Sequence, residues 1–191
     1  MTWDIPPMWQ GMTVAVLASG PSMSQSVADS VRHLPRIVVN STYRLARDAD
    51  MLYAADAPWW MANPEALDFP GLKVSIERRP GRAPGVPVLI VRNTGRSGFD
   101  PKGGIRTHLN SGAQAIQVAV HAKAARVLLF GFDMRGCHWH GAHPAPLKSM
   151  TRDDMLLAVN SMRSLAAGIK GCDVINCTPD SALDCFPRGS L

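Results

Sequence analysis

The chain has 191 residues, 46% hydrophobic and 18% charged, with Lys+Arg 20 against Asp+Glu 15 and a formal net charge of +5. Those totals exclude a disordered or fibrous chain and fit one globular domain with a real core. Pro, Arg, Asp or Gly interrupts every apolar run, so no membrane span is expected, and the mild positive charge suits phosphorylated ligands or nucleic acid without choosing between them.

Met1 to Pro7 lacks the basic and apolar stretches of a secretory signal, so a cytoplasmic setting is expected. Cys137, Cys172, Cys177 and Cys185 are too few for a disulfide framework, and reduced thiols are expected. The three near the C-terminus read as small core residues. Residues 1–11 read as an irregular lead-in whose Trp3, Met8 and Trp9 contact the body.

The β-branched run Val14–Leu17 ends in Ala18-Ser19-Gly20-Pro21-Ser22-Met23, which predicts a strand, a tight turn and a helix N-terminus. Gly20 eases the turn and Pro21 suits a first helical position. Ser22 and Ser24 add hydroxyls beside free amides, a setting that favours a phosphate or, more plainly, a serine cap. The GxGxxG spacing of dinucleotide sites is absent.

A short helix follows over Ser26–His33, then strands over Arg36–Asn40 and Met51–Ala55, a weaker one over Leu72–Ile76, and a fifth over Val86–Val91. The Ala-rich stretch Ala113–Lys123 predicts a buried helix, Arg126–Phe130 a strand, Arg152–Lys170 a helix and Asp173–Asn176 the last strand. Short, continuously apolar strands between helical patterns are the mark of buried parallel strands. The expected fold is therefore α/β: a three-layer, mostly parallel Rossmann-like sheet with helices on both faces. Such sheets bind ligands beyond the carboxyl ends of their strands, which singles out residues 19–22, Asn40, Ser41, Asp56, Asp133 and the stretch after Asn176.

Residues 77–107 break the pattern. Prolines and glycines argue against regular structure over much of this stretch, and Arg78, Arg79, Arg82, Arg92, Arg96, Lys102 and Arg106 concentrate charge there. It reads as a lid over a phosphorylated ligand, a solvated insertion, or a strip tracking a nucleic-acid backbone.

Asn110 or Ser111 can cap the central helix, and Gly112 allows close approach of a ligand, giving a second helix terminus facing the same cleft. Cys137-His138-Trp139-His140-Gly141-Ala142-His143 holds zinc-type ligands. It has no CxxC partner, however, and in an extended segment His138 and His140 point apart. The preferred role is a single histidine general acid or base, His140 or His143, against histidines that only brace a loop. Asp56 and Asp133, at strand ends, are placed to hold Mg²⁺ against phosphates or to cap turns. Trp59 and Trp60 suit base stacking or packing.

The ordered set of motifs resembles two families. Ala18–Met23 is similar to the GNGPSL-type loop of bacterial family 42 sialyltransferases and to the SGPSL-type loop of 6-hydroxymethylpterin pyrophosphokinase-like proteins. Val39-Asn40-Ser41-Thr42-Tyr43 resembles the sialyltransferase second-strand motif, whose Asn touches the cytidine nucleotide. Asn110-Ser111-Gly112 and Leu128–Asp133 are similar to the second half of both families. The sialyltransferase resemblance implies a nucleotide-sugar-dependent glycosyltransferase with a histidine base and no metal. The other resemblance, carried by Asp56, implies a Mg-ATP-dependent pyrophosphoryl transferase. Proteins of this length also resemble phage open reading frames, where a non-catalytic nucleotide- or nucleic-acid-binding role stands as a further alternative. The expected partner is a nucleotide or nucleotide sugar at Ser19, Gly20, Pro21, Ser22, Asn40, Ser41, Asp56, Asn110, Ser111 and Gly112. The acceptor is open, as is assembly into a homo-oligomer.

Overall fold

Val14, Ala15, Val16 and Leu17 are all fully buried, the condition of a strand covered on both faces. They belong to β1 (Thr13–Leu17), which is followed by α1 (Gln25–Ser30), β2 (Arg36–Val39), β3 (Met51–Tyr53), α2 (Ala57–Ala62), β4 (Leu72–Ser75) and β5 (Leu89–Ile90). Then come β6 (Asn93–Gly95), β7 (Ile105–Arg106), α3 (Ser111–His121), β8 (Arg126–Phe130), α4 (Arg152–Gly168) and β9 (Asp173–Asn176). The computed structural model describes residues 2–76, 88–143, 145 and 147–190.

Seven strands form one sheet in the order β5-β4-β3-β2-β1-β8-β9, and every pairing is parallel. β1 sits between β2 and β8, in register from Thr13 against Arg126 to Leu17 against Phe130. Period-two alternation divides the core between the two faces. Val14, Val16, Ile37, Met51 and Tyr53 pack with α3 and with Met162 and Leu165 of α4. Ala15, Leu17, Val38, Leu52 and Ala54 pack with Ala28 of α1 and Trp59 and Trp60 of α2. The fold is a three-layer, Rossmann-like α/β sheet, as its sequence predicts. No helix of the described residues is long and apolar enough to cross a membrane.

Several local expectations are corrected. Pro21 does not begin a helix: α1 starts at Gln25, capped by the Ser24 side chain, which accepts from the Val27 amide. The second strand stops at Val39, because Asn40 takes a left-handed φ of 50° and opens a 3₁₀ turn over Asn40–Arg44. Trp59 and Trp60 lie on α2, a helix not read from the sequence.

The basic stretch is also more regular than its composition suggests. β6 and β7 pair as a parallel ribbon, and the Arg106 backbone is clamped on both sides by the Gln117 side chain of α3. Arg78, Arg79 and Arg82 lie outside the described residues, as do the first two residues of the expected fifth strand, which among the described residues is a strand at Leu89–Ile90.

All four cysteines are unpaired. Cys172, Cys177 and Cys185 are half-buried against the core, as expected of small apolar residues. Burial raises the Cys172 and Cys185 thiols to about 11.

Candidate functional site

The chain leaves β1 toward β2 on one side and β8 toward β9 on the other, so the crossovers diverge at the β1/β8 boundary while the turns that open them stay bonded to each other. That divergence is where open α/β sheets place their ligands. A cavity of about 560 Å³ occupies it, within the range of small-molecule sites. The walls come from Ser19 and Gly20 after β1, Asn40 after β2, Asp56 and Trp59 at α2, Asn110–Gly112 at α3, and Gly131 and Phe132 after β8. The two turns that the sequence singles out thus face one space.

Their chemistry differs. In the first turn most amides are already used: Gly20 donates to the Gly131 carbonyl, Ser22 to Asp133 and Met23 to the Gly20 carbonyl. The Asp133 carboxylate accepts from both the amide and the hydroxyl of Ser22. A Cβ on Gly20 would lie 2.0 Å from Asp133 Oδ2, so only glycine lets the turn close over that carboxylate. Pro21, Ser22, Ser41 and Asp133 are absent from the cavity wall. Ser41 is buried beneath it, and Asp133 is 4% exposed and fixes the turn. The two acids expected to share Mg²⁺ are therefore placed differently, with Asp56 on the cavity and Asp133 behind the turn.

At α3, Asn110 caps the helix by accepting from the Ala113 amide, as expected. The amides of Ser111 and Gly112, in the first turn, have no intrahelical acceptor and border the cavity. Gly112 is required by packing, since a Cβ there would come within 2.8 Å of the Phe132 ring. Gln114 holds the helix in place, accepting from the buried Tyr53 hydroxyl and donating to the Thr107 carbonyl.

Ser19 is the hinge of the site. Its hydroxyl bonds the Val39 carbonyl and Thr42, tying the turn to the end of β2. Its carbonyl accepts from the Trp139 amide and from His138 Nδ1. The histidine segment is not extended. Gly141, at φ 86°, closes a turn by donating its amide to the His138 carbonyl, and the His138 and His140 rings stack 5.1 Å apart at 12°. His143 folds back to 4.5 Å from His138 and 5.1 Å from His140, ring centre to ring centre.

The expectation that His138 and His140 diverge is thus corrected, because the turn reverses the chain between them. His138 and His143 line the cavity, whereas His140 stands behind them. Burial, first of all, lowers all three imidazoles, and His140 falls to about 4 under the added influence of His138, His143 and Arg44.

Leu109, Met134, Arg135 and Lys148 also line the cavity without having been singled out. Leu109 and Met134 take left-handed φ values of 51° and 54°, and Leu109 is 75% exposed at the mouth. Nothing in a leucine's identity announces such a conformation. Arg135 and Lys148 flank the histidine run, and that proximity was the available signal. No described residue of the basic stretch 88–107 lines the cavity, and the rest of the expected lid, residues 77–87, lies outside the described residues. Trp59 and Trp60 pack edge to face with each other, and Trp59, which also lines the cavity, with Tyr43.

Against known proteins, no family model matches the chain and no curated sequence matches it.

Proposed function

We propose that the protein is a nucleotide-dependent transferase whose cavity holds a phosphorylated nucleoside, with a nucleotide sugar of the cytidine class as donor. The observation that carries this reading is the meeting of the Ser19–Gly20 turn and the α3 N-terminus on one cavity at the sheet's switch point. The amides of Ser111 and Gly112 and the positive end of an 11-residue helix suit a phosphate. Arg135 and Lys148 add cationic charge to the lining of the same cavity, which suits the negative charge that a departing nucleotide gains.

Asn40 borders the cavity at the end of β2, the place at which a base or ribose would be read. The histidine cluster stands on the wall nearest Ser19 and is assigned to the acceptor side. The Mg-ATP alternative is less well supported, because Asp133 is engaged with Ser22 and does not border the cavity with Asp56.

The test is thermal stabilisation by CMP, CDP, ATP and GTP, each with and without Mg²⁺. Stabilisation by cytidine nucleotides without metal is expected, and it should weaken in Lys148→Ala. Stabilisation by ATP alone, and only with Mg²⁺, selects the pyrophosphoryl-transfer alternative. No response to any nucleotide contradicts both.

A further inference from the structure

His138, His140 and His143 each offer a ring nitrogen, and the three atoms lie within 4.8 Å of one another. Three imidazoles gathered this closely, with no described carboxylate or cysteine completing the group, are hard to explain as a loop brace. Among the described residues, only the His138 ring of these three bonds another residue, through the Ser19 carbonyl. His140 Nε2 is buried and has no hydrogen-bond partner among the described residues. An orphaned buried ring nitrogen costs stability unless something meets it.

We propose that His138, His140 and His143 form a three-imidazole metal site that takes a borderline divalent cation such as Zn²⁺, its remaining coordination position open to the cavity.

The His138 geometry supports this independently. A carbonyl can only accept, so Nδ1 carries the proton shared with Ser19 and Nε2 is left with its lone pair. Ligating histidines are oriented in this way, by a ring N–H donated to a backbone carbonyl. Tetrahedral zinc at about 2.0–2.1 Å from each nitrogen holds its nitrogens about 3.3 Å apart, so separations of up to 4.8 Å need to contract by at most about 1.5 Å. Side-chain rotation on a glycine-bounded turn supplies that.

Three protein ligands with a vacant position are the arrangement of catalytic rather than structural zinc sites. His138 and His143 line the cavity, so a bound ion would present that vacant position to an oxygen of whatever the cavity holds. The ion's role in turnover rests on the proposed function; its binding does not.

The test is titration of the metal-stripped full chain with Zn²⁺ against a chromophoric chelator, with Co²⁺ as a spectroscopic stand-in and no nucleotide present. One ion per chain is expected, along with a visible cobalt spectrum of low-symmetry, four- or five-coordinate type. His143→Ala and His140→Ala should each weaken Zn²⁺ by more than the roughly 10–100-fold typical of losing an outer-shell partner. His33→Ala and Cys137→Ser should leave affinity unchanged.

Melting curves of the metal-free variants separate lost ligation from lost folding. If His140→Ala is unfolded, His143→Ala decides, because His143 is only half-buried and on a loop. Substoichiometric binding, affinity unmoved by the histidine variants, or loss only in Cys137→Ser overturns the site. Nucleotide binding without zinc binding would sink this proposal alone, and the reverse would sink only the function proposed above.

Discussion

His108 shows how one side chain near the site is held. It is 3% exposed, and its Nε2 must donate to the Gly98 carbonyl, which leaves Nδ1 to accept from the Ser161 hydroxyl. Burial, more than any other cause, lowers its pKa below the ordinary 6.5, so the folded state keeps it neutral. The unfolded chain therefore binds the extra proton first, and stability rises with pH up to about 6.5 and falls as pH drops below it. His108→Asn should flatten that part of the profile, by at most about 1.4 kcal/mol per pH unit, in denaturant titrations between pH 5 and 7 with chelator present. An unchanged slope would mean that the ring binds its proton equally in the folded and the unfolded chain. The chain also puts His108 and Leu109 in succession at φ 48° and 51°, directly before α3. Two such residues in a row are costly, and here they aim the helix start at the cavity.

At the scale of elements, α3 joins the sheet to the ribbon of β6 and β7. Gln117 is fully buried, accepts from the Arg106 amide and donates to the Arg106 and Ala113 carbonyls. Gln117→Leu strands the Arg106 amide and carbonyl and should cost about 2–4 kcal/mol in urea unfolding. It should leave nucleotide stabilisation intact, since neither residue lines the cavity. A loss below 0.5 kcal/mol would mean that water replaces the amide there.

The strands of the main sheet were legible because each is a short apolar run, and β8 and β9 match their sequence-read limits to the residue. The ribbon was not, because its pairing is set by one buried glutamine rather than by a hydrophobic period. The Ser19–Gly20 turn was legible as a site element but not as a phosphate cradle. The Gly20 and Ser22 amides are taken by a carbonyl and a carboxylate that arrive from more than a hundred residues away, and the Met23 amide by the turn's own Gly20 carbonyl. For the same reason the histidine triad could not be read from spacing. Alternation assumes an extended chain, and Gly141 makes a turn.

For the molecule as a whole, a seven-stranded parallel sheet whose crossovers diverge at the β1/β8 boundary carries a cavity at the carboxyl ends of its strands. The segment from Asn176 to Arg188 braces that end from behind. Thr178 accepts the Phe132 amide, the Ala182 amide bonds the Asp133 carbonyl, and Arg188 donates to the Thr178 carbonyl. Phe132 in turn is the wall against which Gly112 packs, so the C-terminal residues support the cavity's wall without lining it. A crystal of the protein soaked with CMP tests the central claim most directly. The account predicts a phosphate at the Ser111 and Gly112 amides, with the nucleoside running toward Asn40. A nucleotide bound elsewhere, or a cavity that stays empty at saturating CMP, would contradict it.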